Sequence, residues 1–189
     1  MTNVTISDTY KNLLTHLRIN RSEQRSLTTT QQDTVIRQFI IWLLSDDVHG
    51  VRQHFKNREG DIAKRMPCLD KIIAFHQQEL SGENVSHQEW EDCFFNNNSG
   101  PIGEYIVQTA LYSMDNYNPD PDRRGYDVSE NIAESSNWAA MAFGNVARSS
   151  LIAADFTTTA KNADEAYTSA KSEHCKAQVE KLISLIGAQ

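Results

Sequence analysis

A chain of 189 residues with 39% hydrophobic content is long enough to bury a real core and fits one domain. Its net charge of −7 and pI near 5.3 argue against nucleic acid as a partner, because duplex binding rests on cationic contacts to phosphate; the same charge suits a basic protein partner through electrostatic steering. With a mean hydropathy of −0.54, no apolar run longer than Phe39 to Leu44, and neither a basic stretch nor an apolar core in Met1 to Asp8, the sequence predicts a cytoplasmic protein without a membrane span or signal peptide.

Ser7 can cap a short first helix with apolar positions Tyr10, Leu13, Leu14 and Leu17, followed by a basic connection from Arg18 to Leu27. Thr28, Thr29 and Thr30 stand at capping-box spacing from Gln31, Gln32 and Asp33, so a second helix opens there. Its stripe Val35, Ile36, Phe39, Ile40, Leu43 and Leu44 predicts the centre of the N-terminal core. Ser45 to Asp47 break it and can cap a short helix through Val48, Val51 and Phe55.

Asn57 to Gly60 reads as a turn, and Pro67 starts a helix carrying Leu69, Ile72, Ile73, Phe75 and Leu80, stopped at Gly82. Ser86 with Glu89 is the clearest capping box in the chain and opens a short helix with Trp90, Cys93 and Phe94. The tract Asn96 to Gly100 predicts a loop. Pro101 then begins a helix with Ile102, Tyr105, Ile106, Ala110, Leu111 and Met114. The connection Asp115 to Tyr126 holds two prolines and a glycine, cannot be helix interior, and has the length of a functional loop.

Asp127 and Glu130 have capping-box spacing, so a long helix should begin near Ser129 and run through Ile132, Ala139, Ala140, Met141, Phe143, Val146, Ala147, Leu151 and Ile152. Gly144 is its weak spot, costing about 1 kcal/mol relative to alanine at an exposed position. After Thr157 to Thr159 a second helix carries Ala163, Ala166, Tyr167, Ala170, His174, Ala177, Leu182 and Ile186, with a stop at Gly187. Small residues at helical spacing let two axes approach closely, which predicts a long C-terminal helical hairpin. No segment alternates at period two for long enough to demand a sheet. The expected architecture is one all-α domain over 1–189, a bundle of seven or eight helices, divisible into N-terminal helices 1–114 and the hairpin 127–187.

The loop offers the sharpest chemical motif. Asn116, Asn118, Asp120 and Asp122, followed by Asp127, reproduce the oxygen ligands of a twelve-residue calcium loop. However, Pro121 stands where that loop needs glycine, and Asp127 where it needs a bidentate glutamate. A solvated acidic loop, or one pairing with lysine and arginine of a partner, fits better, and no metal or cofactor is expected. The histidines, His16, His49, His54, His76, His87 and His174, include no pair three or four apart on one helix and no Glu-x-x-His, which removes the di-iron bundle. No nucleophile elbow or phosphate loop occurs, and Cys68, Cys93 and Cys175 are widely spaced, reading as reduced packing residues. Trp90 and Trp138 suit either the core or an interface anchor.

Trp138-Ala139-Ala140-Met141-Ala142 through Ala147 and Ala153-Ala154, then Ala163 to Ala170 and the closing Gln178-Val179-Glu180-Lys181-Leu182, resemble the C-terminal half of the alanine-rich helical immunity proteins of bacteria. The resemblance implies neutralisation of a cognate toxin by direct binding, with no catalytic residues. Combined with the acidic charge, it leads to the expectation of a non-catalytic protein-binding protein whose partner is a basic toxin domain. Asp120, Asp122 and Asp127 would pair with its cations, and Tyr117, Tyr126 and Trp138 would supply apolar contact. A small all-α enzyme with an acidic active site and a structural helical scaffold are the alternatives.

Overall fold

The computed structural model describes residues 28–54, 66–93, 100–114 and 128–188. These form six α-helices and one 3₁₀ turn: α1 (Thr29–Ser45), the turn Val51–His54, α2 (Met66–Ser81), α3 (His87–Glu91), α4 (Gly100–Ser113), α5 (Val128–Ala154) and α6 (Ala160–Gly187). No strand occurs among the described residues, so the fold is all-α there. The helix expected around Tyr10 to Leu17, the turn Asn57 to Gly60 and the calcium-like loop lie outside the described residues, as does Phe94.

Local chemistry sets the helix ends. Thr28 accepts from the Gln31 amide at 3.2 Å while Gln31 reaches back to the Thr28 amide at 3.0 Å, a closed capping box on α1. Ser86 and Glu89 make the same exchange on α3, at 3.3 and 2.8 Å, and those bonds hold the Glu89 carboxyl below its usual range. Thr159 caps α6 by accepting from Asn162. Gly82 ends α2 with φ of 89°, and the amides of Glu83 and Gly82 return to the carbonyls of Gln78 and Glu79, a Schellman closure that needs the left-handed region.

The apolar stripe of α1 does form the centre. Phe39, Leu43 and Leu44 are fully buried, packed with Leu69 and Ile72 of α2, Ile106 and Val107 of α4, Ile132 and Ala139 of α5, and Leu182 of α6 in one cluster. Beside it sits a buried arginine. Arg37 of α1 pairs with Asp33 at 3.0 Å and reaches Glu79 of α2 at 3.6 Å, and the other oxygen of Glu79 accepts from the Val85 amide. This cation therefore ties α1 to α2 and to the strap before α3. Pairing and hydrogen bonding are what make a buried charge tolerable.

Two expectations change here. The apolar spacing puts Val48 on the packed side of a short helix, but it is 66% exposed in a turn, because the Asp46 carboxylate accepts from the amides of Val48 and His49 and draws the chain into an Asx turn instead. Gly144, expected as an exposed weak spot, is instead a point of close approach of α5 to α6: a Cβ there would stand 2.8 Å from the Tyr167 ring and 3.0 Å from its carbonyl oxygen. The missing side chain is what lets Tyr167 lie against the backbone of α5.

Candidate functional site

The acidic-loop residues Asp120, Asp122, Asp127, Tyr117 and Tyr126 lie outside the described residues. Trp138 is on α5, half-buried, with its ring 5.4 Å from that of Tyr105 on α4. Trp90, the other candidate aromatic anchor, is a core residue packed edge-on against Phe75.

A buried polar and aromatic cluster lies elsewhere, where α1, the 46–54 segment, α5 and α6 meet. His174 of α6 is 2% exposed and stacks on Phe143 of α5, ring centroids 4.1 Å apart. Trp42 of α1 lies 6.1 Å away on a nearly parallel plane, and His49 approaches edge-on at 5.9 Å. The His54 ring also meets Phe143, steeply inclined, with centroids 4.5 Å apart. Gly50 makes the segment possible, since a Cβ there would meet the Asp46 backbone nitrogen at 2.4 Å.

Hydrogen bonds determine the protonation of His174. Its Nε2 lies 2.9 Å from the carbonyl oxygen of His49, a group that can only accept, so Nε2 carries the hydrogen. Nδ1 lies 2.9 Å from the amide nitrogen of Gln178, whose second hydrogen goes to the Ser136 carbonyl at 2.8 Å. Turning the Gln178 amide over would set its oxygen against that carbonyl, so the nitrogen assignment follows from the network. The imidazole is therefore neutral. Burial pushes its pKa down to about 4, against the opposing pull of the hydrogen bond to His49. At neutral pH both ring nitrogens are engaged, so the group is built to hold α6 against α5 and the 46–50 turn. Asp46, which shapes that turn, is raised by burial but lowered further by the amides of His49 and Val48, and stays ionised.

The alanine spacing of α6 predicts Ala166, Ala170 and Ala177 on its inward face. Those three are only half-buried; Ala163, His174 and Leu182 of the expected stripe are buried, together with Lys171, Cys175 and Gln178, which the stripe left out. The helix is rotated by part of a turn relative to its alanine stripe, because methyl groups give little hydrophobic drive while His174 and Gln178 find partners across the interface. The spacing of Lys171, Cys175 and Gln178 around the expected His174, three and four apart, was the available signal for the residues left out.

Among the described residues no group of three or more His, Cys, Asp or Glu side chains is placed to hold a metal ion, and no helix is long and apolar enough to cross a membrane. Cys68, Cys93 and Cys175 are free thiols; burial raises the last two above the usual thiol range. Large apolar side chains reach solvent at the turn joining α5 to α6, where Phe156 is 91% exposed and Ile152, expected on the packed face, is 41% exposed. No protein-family model, characterised protein or solved structure matches the chain.

Proposed function

We infer that the chain is a non-catalytic, protein-binding protein, and specifically that it acts as an immunity protein of the alanine-rich helical kind, neutralising a bacterial toxin by direct binding in the cytoplasm. Its architecture in this reading is a bundle of seven or eight helices in which α5 and α6 form the long hairpin. The observation that carries the reading is Phe156, almost wholly solvent-exposed at the turn between those helices with Ile152 one turn before it. Single exposed apolar residues are ordinary, but a bare phenylalanine at a helix-to-helix turn, next to a second apolar side chain, has the form of an interface anchor. The net charge of −7 supports a basic partner, steered in by field before contact. Asp120, Asp122 and Asp127 are the proposed ion-pairing groups, with Tyr117, Tyr126 and Trp138 beside them.

The test is co-expression with the product of the neighbouring open reading frame, scoring growth rescue and co-purification. Rescue with a stable complex that Phe156→Asp weakens supports the reading. A harmless neighbour that does not bind removes the immunity function, and a complex indifferent to both Phe156→Asp and reversal of the three aspartates removes the proposed surface.

A further inference from the structure

A second hydrogen on His174 would sit on Nδ1, where the Gln178 amide already points its own N–H from 2.9 Å. Turning that amide over would set its oxygen against the Ser136 carbonyl. An imidazolium here therefore needs water. Among the described residues, what keeps water away is Trp42 of α1, Phe143 of α5, Gln178 of α6 itself, and the 46–54 segment, whose His49 lays both its carbonyl and its ring against the imidazole.

These covers are not equally held. α1 and α5 place Phe39, Leu43, Leu44, Ile132 and Ala139 in the central cluster, and α6 adds Leu182 and lies along α5 from the Gly144 contact to the Ser136 carbonyl. The 46–54 segment gives that cluster Val51 alone. Arg52 ties it to Asp70 of α2 at 2.8 Å, but the two side chains are 37% and 46% exposed, and pairs so open to solvent contribute little. The Asp46 carboxylate bonds back into the segment's own amides, which shapes the turn without fastening it to a helix. Elements with few buried apolar contacts are the first to open.

We propose that the 46–54 segment is a proton-operated latch: a proton taken up by His174 releases it from α5 and α6 while the core around α1 stays folded, baring the rings of Trp42 and Phe143. Among the described residues the titratable groups around that proton are His49 and His54, which oppose it, and the Asp46 carboxylate, which favours it and lies in the field of Lys181 on α6. α1 and α5 face it with the Trp42 and Phe143 rings. The buried imidazole has a pKa of about 4, below the 6.5 of a solvated one, so the open segment takes up the proton first. Closure is complete above pH 6.5 and weakens as pH falls toward 4. The latch depends neither on the immunity reading nor on the Phe156 surface.

Amide hydrogen exchange of the full chain, read segment by segment by mass spectrometry and corrected for the intrinsic rate at each pH, tests this at pH 7 and pH 5. Protection over 46–54 is expected to fall about tenfold or more on acidification, while protection over Phe39 to Leu44 falls clearly less. His174→Gln and His174→Phe cannot take the proton and should both abolish the fall; the second keeps a ring on Phe143 should the first fail to fold. Unchanged protection over 46–54 in the parent protein, a fall shared equally by 46–54 and Phe39 to Leu44, or the same fall in a folded variant overturns the latch.

Discussion

His174 donates through Nε2 to the backbone carbonyl of His49 at 2.9 Å, joining two residues 125 positions apart in the chain. Only the neutral ring can do this while also accepting from Gln178 on its other nitrogen. The bond thus makes the packing of α6, α5 and the 46–50 turn conditional on one protonation state.

Acid should therefore weaken the fold through His174. The folded pKa of about 4 lies below the ordinary 6.5, so the unfolded chain takes up the proton first. The stabilising contribution is complete above pH 6.5 and declines as pH falls toward 4, by about 3 kcal/mol in all. Urea unfolding at pH 7, 5.5 and 4.5 should show this decline in the parent protein and a flatter profile in His174→Gln. Parallel profiles would assign the acid sensitivity to other groups.

Gly144→Ala should destabilise the protein by about 1–3 kcal/mol, although alanine is the better helix former. The added methyl meets the Tyr167 ring and backbone, and the backbone cannot swing aside. Gly187→Ala is the control, because a methyl there would meet nothing within 4 Å, and it should be neutral or slightly stabilising. Thermal unfolding of the two variants separates close packing from propensity.

Arg37→Met should cost about 2 kcal/mol or more, leaving Glu79 without its cation in a site where its side chain is 19% exposed. Arg37→Met combined with Glu79→Gln should recover part of that loss. A double-mutant cycle read by urea midpoint gives the coupling; strict additivity would show that the cost of losing Arg37 does not come from its pair with Glu79.

Ser86→Ala should cost about 1 kcal/mol by removing the cap of the short helix that carries Trp90. Near-ultraviolet circular dichroism should show whether the Phe75 and Trp90 edge-on contact loosens with it.

Much of the fold was legible because caps and apolar stripes are local. Thr28 and Gln31, Ser86 and Glu89, Pro67 and Gly82 all mark their helices where the chemistry of backbone satisfaction says they must. What the pattern missed were decisions made between distant segments. The face that α6 buries is chosen by His174 and Gln178 finding His49 and Ser136, and no periodicity count registers a hydrogen bond across 125 residues. Val48 departs from its apolar spacing for the opposite reason: the Asp46 side chain competes with the helix within three residues, and spacing alone gives that competition no weight. Of the candidate binding residues only Trp138 lies in the described part. Its unmet indole donor is a property of its surroundings, which sequence does not encode locally.

Leu182, near the far end of α6, is 3% exposed and belongs to the same cluster as Phe39 and Leu43 of α1. During synthesis the greasy side of α1 leaves the ribosome long before the residue that closes over it. For that interval the nascent chain displays an uncovered apolar ridge, the kind of surface that holdase chaperones retain and that aggregates when they are scarce. Slowing translation between α1 and α6 would lengthen this exposure, so yield in a cell depends on elongation rate as well as on the stability of the finished fold.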